Sequence, residues 1–151
     1  MKRITLVFLI SLVVFATAVF AQSDKPMLFR QPTMNNTHIV FSFGGDLWKV
    51  PRSGGKAIRL TSGKGIEQVP MFSPDGNWVA FSGQYDGNTD IFVIPASGGV
   101  PKRITYHPNG DNVISWSNDG RSIISLSTRK SGMPLPKMFK ISVNEKGMPE
   151  E

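Results

Sequence analysis

Short apolar segments, separated by turn residues, make up the chain after residue 21. Residues 78–82 (WVAFS) and 91–94 (IFVI) are rich in aromatic and β-branched side chains, and each is bounded by turn-forming residues. Segments of this length and composition are typical of β-strands, and the continuous apolar run at 91–94 indicates a strand covered on both faces. Because the residues after 21 lack an apolar pattern at helical spacing, the sequence predicts an all-β fold.

These strand-and-turn units repeat along the chain. A motif recurs 44 positions later at six places: Asp46 and Asp90, Gly54-Gly55 and Gly98-Gly99, Arg59 and Arg103, Thr61 and Thr105, Phe72-Ser73 and Trp116-Ser117, and Asp75-Gly76 and Asp119-Gly120. Phe41 and Phe81 are only 40 apart, which indicates a longer hairpin loop at 84–88 in the second unit. A repeat of about 40–45 residues is the length of one four-stranded propeller blade.

We therefore predict consecutive four-stranded blades of a WD-like β-propeller at about 32–64, 65–108 and 109–151, the third incomplete, after a leader segment at 22–31. Propellers close with four to eight blades, and a repeat buries its apolar face only against its neighbours. The chain is therefore interpreted as the N-terminal part of a longer protein. The predicted strands are a short one at 27–29, then 39–43, 46–50, 56–61, 68–72, 78–82, 91–94, 102–105, 112–116, 123–127 and 138–143.

The first 21 residues have the layout of a secretory signal peptide. Lys2 and Arg3 precede an almost wholly apolar run at 4–20, and a polar segment follows Ala21 at once. This arrangement predicts cleavage before Gln22 and export to the periplasm or the exterior, with no stable membrane anchor afterwards. An uncleaved anchor helix is the alternative, because the 17-residue run lies at the lower limit for spanning a bilayer.

Charge and cysteine content narrow the function classes. Without the signal peptide the net charge of +6 falls to +4, because Lys2 and Arg3 are removed. The basic residues are scattered over turns and outer strands, which argues against nucleic-acid binding. The chain contains no cysteine, so an exported fold must be stabilised by packing rather than by disulfides.

Candidate catalytic chemistry is sparse. His38 and His107 are the two histidines, and both are expected in loops or at strand ends, without the partners that a Ser-His pair needs. The chain has no G-x-S-x-G string, and the glycine-rich stretch at 62–65 lacks the P-loop spacing. We therefore predict no catalytic, cofactor-binding or metal-ligating residue and no cofactor.

Two further groups of residues call for a choice between a structural and a functional interpretation. Asp86, Asn88 and Asp90 alternate like cation ligands, but the remaining positions of an EF-hand loop are missing, so we expect a solvated hairpin tip. The tryptophans at 48, 78 and 116 recur about once per blade. We expect them in the core between blades rather than as a stacking platform for a ligand.

Motifs in a fixed order resemble those of the tricorn-type serine proteases, exported bacterial homologues included. They are GDLW at 45–48, VP at 50–51, GG at 54–55, RLT at 59–61, FSPDG at 72–76, DIFV at 90–93 and RITYHP at 103–108. The resemblance covers residues 28–131 and implies a six-bladed propeller, a seven-bladed propeller and then a PDZ-containing protease core. The family's nucleophilic Ser and its His have no matching position here, so no catalytic residue is carried over.

Two functions from different classes follow. The resemblance implies that the chain is a non-catalytic propeller portion of an exported serine protease. This propeller would guide or filter peptides for a distant protease core. The implied partners are peptide or protein substrates, the remaining blades and the core. The alternative is a non-catalytic periplasmic scaffold like the propeller of the Tol translocation system. A propeller lid of a prolyl-oligopeptidase-like enzyme ranks third, and homo-oligomerisation stays open. The discriminating observation is the sequence beyond Glu151.

Overall fold

The computed structural model describes residues 28–129 and 135–143. The predicted signal peptide and the residues at 22–27, 130–134 and 144–151 lie outside this description. Eleven strands are described: β1 Arg30–Met34, β2 His38–Phe43, β3 Asp46–Pro51, β4 Ile58–Arg59, β5 Ile66–Phe72, β6 Trp78–Gln84, β7 Thr89–Pro95, β8 Lys102–Arg103, β9 Asp111–Trp116, β10 Ser122–Ser127 and β11 Lys137–Ser142.

The strands form three antiparallel sheets in chain order. The first sheet has the order β1-β2-β3-β4, the second β5-β6-β7-β8, and the third β9-β10-β11 within the described residues. β1 contacts β5, and β5 contacts β9, so the first strands of the sheets lie side by side. This arrangement confirms the predicted all-β fold of consecutive propeller blades. No helix among the residues described is long and apolar enough to cross a membrane.

The core lies between the sheets, and the second sheet contributes to it from both faces. Phe92 and Ile94 belong to a cluster shared with the first sheet, whereas Ile91 and Val93 belong to one shared with the third. Successive side chains of a strand point to opposite faces, so a strand buried on both sides must be apolar at every position. The apolar run at 91–94 is therefore covered on both faces, as predicted.

The position of the first strand differs from the prediction. The expected strand at 27–29 is absent at Leu28 and Phe29; β1 begins at Arg30, inside the segment assigned to the leader. Pro32 lies within β1 at a register shift between Arg30 and Thr33. Proline is tolerated there because β1 is an edge strand and the shift is a β-bulge, which leaves the missing N–H without consequence for the ladder.

Two hairpin turns 44 residues apart have the same construction. In the first, Ser73 Oγ donates to Asp75 Oδ1 at 2.5 Å and accepts from Trp78 N at 3.0 Å, and Gly76 has a φ of 72°. In the second, Ser117, Asp119 and Gly120 repeat these contacts, with a φ of 68° at the glycine. The positive φ explains why the turn ends in glycine.

Candidate functional site

Asp, Arg and Thr side chains at the 44-residue spacing form a hydrogen-bonded unit at one end of each of the first two sheets. Asp90 pairs with Arg103 Nη2 at 2.5 Å, and Thr105 Oγ1 donates to Asp90 Oδ1 at 3.1 Å while accepting from Ile91 N at 2.9 Å. In the first sheet Asp46 pairs with Arg59, and Thr61 Oγ1 accepts from Leu47 N. The polar groups of the repeat are therefore used to close the blade.

A buried carboxylate from the second sheet completes the junction between the first two sheets. Glu67, with 1% of its surface exposed, accepts hydrogen bonds from Leu47 N at 3.2 Å, from the Thr61 hydroxyl and from Tyr85 Oη at 2.5 Å. Glu67 thus joins β5 to the first sheet. We call Glu67 and its donors the first junction network.

The repeat-equivalent carboxylate, Asp111, is also fully buried, with 0% of its surface exposed, and pairs with Arg129 Nη2. Arg129 lies over the Phe139 ring at 5.3 Å, and Tyr85 packs edge-to-face on Phe92 at 4.7 Å. The two carboxylates therefore hold equivalent positions in the repeat but bond differently: Glu67 bonds across to the first sheet, whereas Asp111 pairs with Arg129 inside its own blade. We call Asp111 and Arg129 the second junction network because of this equivalent position.

The electrostatics of these groups follow from their burial. Burial raises the pKa of the Tyr85 phenol, and the hydrogen bond to Glu67 and its charge raise it further. Burial also raises the pKa of the Asp90 carboxyl, against the lowering effect of Arg103 and Thr105. A phenol with a raised pKa remains a hydrogen-bond donor, so Tyr85 stays bonded to Glu67 across the ordinary pH range.

The four junction residues Glu67, Tyr85, Asp111 and Arg129 were not singled out from the sequence. A signal was present, because Glu67 and Asp111 are 44 residues apart, as are Tyr85 and Arg129. The residue types differ within each pair, so a search for identical residues at the repeat spacing passes over them.

Two clefts open between neighbouring sheets at repeat-equivalent places. The first cleft, between the first and second sheets, has a volume of about 310 Å³; its lining includes Leu28, Arg30, Ser42, Phe43, Glu67 and Gln68. The second cleft, between the second and third sheets, measures about 50 Å³ and is lined by Ile66, Gln68, Ser82, Gln84, Thr89 and Asn112.

The two histidines have local partners. His38 Nδ1 lies 2.8 Å from Thr37 Oγ1, and His107 Nδ1 accepts from Asn109 N at 3.0 Å. Neither ring contacts a carboxylate in the part of the chain that the structure describes. The absence of catalytic residues stays a prediction.

Of the residues Asp86, Asn88 and Asp90, the two aspartates contact the guanidinium of Arg103. Arg103 bonds Asp90 and lies 3.5 Å from Asp86, whose side chain is 76% exposed. Asn88 Nδ2 donates to His107 O at 2.7 Å. Over residues 28–129 and 135–143, no three His, Cys, Asp or Glu side chains are grouped as metal ligands.

The glycine-rich stretch at 62–65 is required for packing. A Cβ at Gly65 would lie 2.1 Å from Gln84 O, and one at Gly63 would lie 2.4 Å from Tyr85 Cε1. These glycines let the loop between the first two sheets pass close to the Tyr85 ring, which bonds Glu67.

The expectation that the three tryptophans share one core role is wrong for Trp78. Trp116 spans two blades, since its Nε1 donates to Met71 O at 2.9 Å. Trp48 donates to Phe43 O within its own sheet, and Trp78 is 43% exposed. They lie on β3, β6 and β9, so a recurrence of once per blade does not reflect equivalent positions.

The family model of the tricorn protease N-terminal β-propeller domain matches residues 26–151. The chain belongs to this family. The predicted resemblance is thereby confirmed.

Known proteins place this tricorn-family chain in a wider group of propellers. It is 33% identical over 108 residues to tricorn protease homolog 1 of Streptomyces coelicolor, covering 71% of this chain and 10% of that protein. It is 34% identical over 134 residues to the Tol-Pal system protein TolB of Francisella tularensis, covering 85% and 30%.

A solved structure agrees in fold. The crystal structure of the tricorn protease matches with a TM-score of 0.66 at 22% identity, over 77% of this chain and 12% of that one. The chain thus spans about a tenth of tricorn protease homolog 1 and of the tricorn protease in this crystal structure, but 62% of a putative tricorn-like protease N-terminal subunit of Sulfurisphaera tokodaii.

Proposed function

We propose that this chain is the non-catalytic N-terminal propeller portion of an exported tricorn-like serine protease. In this proposal its blades guide or filter peptides for a proteolytic core outside residues 1–151. The observation that carries the proposal is the family match over residues 26–151. Three ion pairs support a non-catalytic role, because the charged groups at the repeat spacing are already bonded to one another: Asp46 with Arg59, Asp90 with Arg103, and Asp111 with Arg129.

The full-length gene product provides the test. We expect it to hydrolyse an unfolded protein substrate, such as reduced casein, and to lose this activity on treatment with a serine-directed inhibitor. Purified residues 22–151 should show no hydrolysis under the same conditions. A full-length product without inhibitor-sensitive hydrolysis would refute the protease assignment, and an active 22–151 fragment would refute the non-catalytic role.

Export is part of the same proposal. The expected mature protein begins at Gln22 and is found in the periplasm or the medium, free of the membrane after a salt wash. N-terminal sequencing of the fractionated protein measures this directly. Recovery of an intact Met1 in the membrane fraction would instead support the uncleaved anchor.

A protein-binding scaffold is the second candidate. Its support is the 34% identity to TolB, a Tol-Pal system protein, over 85% of this chain. A gene that ends after a closed propeller, together with co-purification of an envelope protein, would favour this function. Further blades followed by a PDZ segment and a Ser/His core would favour the protease.

A further inference from the structure

The two clefts differ although the repeat makes them equivalent. In the second cleft, Ser82 Oγ accepts a hydrogen bond from Val113 N at 2.9 Å. Ser42 holds the same place in the first cleft, and its hydroxyl is buried without a hydrogen-bond partner among the described residues. A buried hydroxyl without a partner is unfavourable by about 1–3 kcal/mol, so its presence beside an open cleft needs a reason.

The backbone of β5 explains the difference. Val69 is the residue equivalent to Val113, and it has a φ of 51°. Its N–H therefore turns away from Ser42 and donates to Gln31 Oε1 at 2.9 Å. A positive φ at a β-branched residue is a marked outlier, and such strain is concentrated at functional sites. Ser42 lines the first cleft, and the strained Val69 lies next to it, directly after the lining residue Gln68 in the chain; this cleft has the larger volume of the two.

The lining of the first cleft combines hydrogen-bonding groups with apolar surface. Ser42 can donate and accept, and the Gln68 amide can do both as well. Arg30 and Glu67 bring one positive and one negative charge, while Leu28, which is 78% exposed, and Phe43 provide apolar contact. A group that itself carries a donor, an acceptor and an apolar side chain is complementary to such a lining.

We propose that the first cleft binds an extended peptide segment, with a main-chain amide bonded to Ser42 Oγ and an apolar side chain against Leu28 and Phe43. This inference rests on the proposed function, since it assigns a binding place to the peptides that the propeller is proposed to guide. The peptide supplies the partner that Val113 N supplies to Ser82 in the second cleft.

The test uses the full-length gene product and the capped tripeptide acetyl-alanyl-leucyl-alanine amide, with affinity measured by titration calorimetry. Ser42→Ala should weaken binding about 5–10-fold, the value of one net hydrogen bond. Ser82→Ala is the matched control and should leave the Kd unchanged. An ester analogue that lacks the central N–H should bind more weakly than the amide to the wild type, and equally to Ser42→Ala if that N–H is the bonded group.

Stability measurements separate binding from folding. Ser42→Ala should raise the Tm, because it removes a buried hydroxyl that has no hydrogen-bond partner, whereas Ser82→Ala should lower it. Equal binding by wild type and Ser42→Ala would overturn the proposal. The absence of binding at about 10 mM peptide would also overturn it, because even weak, millimolar binding is detected at that concentration. A crystal soaked with the peptide would overturn the proposal as well if it showed only an ordered water, and no peptide, bonded to the Ser42 hydroxyl.

Hydrolysis of reduced casein by the same preparation separates this inference from the protease assignment. Hydrolysis without tripeptide binding defeats the cleft and leaves the protease assignment standing. Tripeptide binding lost in Ser42→Ala, without hydrolysis, supports the cleft and defeats the protease assignment.

Discussion

At the scale of single residues, backbone strain is confined to two non-glycine positions among the residues described. Gln31 and Val69 have positive φ values of 52° and 51°, and each precedes a proline, Pro32 or Pro70. Both lie at the register shifts of the first strands of their sheets. The shape of Val69 resists this conformation most, because it is β-branched, and the residue before a proline prefers extended backbone.

Replacing Val69 tests whether this strain is stored in the folded protein. Asparagine tolerates a positive φ better than a β-branched residue does, so Val69→Asn should raise the free energy of unfolding by about 1 kcal/mol, within the range of such strain. Val69→Thr keeps the branch and is the control, with no gain expected. Urea unfolding measures both, and an asparagine variant less stable than the threonine variant would contradict the strain.

The two turn aspartates predict a pH dependence. Hydrogen bonds from Ser73 and from Asn77 N lower the pKa of Asp75, and those from Ser117 and Arg121 N lower the pKa of Asp119. A lowered folded pKa gives stability that is fully present above the ordinary value of 3.8 and is lost as the pH falls through the folded value.

The double variant Asp75→Asn with Asp119→Asn should therefore lose less stability than the wild type between about pH 5 and pH 2, a window that spans the ordinary aspartate pKa and extends below it. Asparagine keeps an acceptor oxygen, so the turns should retain their shape at neutral pH. Urea unfolding across this range measures the effect. Parallel profiles for the two proteins would exclude the aspartates as its source.

At the scale of elements, the repeated hairpin turn determines where β5 ends and β6 begins, and likewise for β9 and β10. In both turns the serine hydroxyl donates a hydrogen bond to the aspartate, and the glycine adopts a positive φ. Their surroundings differ, because a Cβ at Gly76 would lie 3.2 Å from Asn35 Cβ and Nδ2, whereas one at Gly120 meets only Pro74 Cδ at 3.6 Å.

Alanine at each glycine separates the backbone effect from the packing effect. Gly120→Ala should lower the free energy of unfolding by about 1–2 kcal/mol, the cost of the left-handed conformation. Gly76→Ala should cost more, because the new methyl group also disturbs the bond from Asn35 Nδ2 to Gly76 O at 3.0 Å. Thermal or urea unfolding gives the comparison, and equal losses would show that the contact with Asn35 is unimportant.

At the scale of the whole molecule, the buried carboxylate of Glu67 joins the first two blades, and that of Asp111 forms a buried ion pair with Arg129. Asp111 and Arg129 are both nearly or wholly buried, whereas the Arg59 side chain of the Asp46 pair is 49% exposed. An exposed pair contributes little, about 0–1 kcal/mol, while removing one partner of a buried pair costs about 3–5 kcal/mol because a charge is left unpaired.

Arg129→Met should therefore destabilise the protein by about 3–5 kcal/mol. Arg59→Met is the comparison, and its loss should be smaller, because the Arg59 side of the pair is half-exposed to water although Asp46 is buried. Both variants keep an unbranched apolar stem, so the difference isolates the buried charge. Unfolding in urea measures it, and similar losses in the two variants would mean that Asp111 becomes neutral or hydrated when Arg129 is removed.

Much of the fold could be predicted from sequence because its signals are local. The Asp-Gly turns and the apolar run at 91–94 act over a few residues, and the 44-residue spacing is the interval at which such local signals recur; they predicted elements that the structure contains. The first strand was placed too early, at 27–29, because that apolar run was the local signal, whereas β1 is a polar segment with Pro32 at a bulge, where an edge strand accepts proline. Trp78 was misassigned because residue type alone does not give the face of a strand.

The sequence by itself determined the all-β repeat, since alternation and turn chemistry depend on neighbours along the chain. Only the tertiary structure decided which side chains meet between blades. Glu67 bonds Leu47 N across 20 residues and Tyr85 across 18, and the Ser42 hydroxyl is left unpartnered because Val69 N turns toward Gln31. These contacts depend on how two sheets pack against each other, and that packing has no counterpart in the local order of residues.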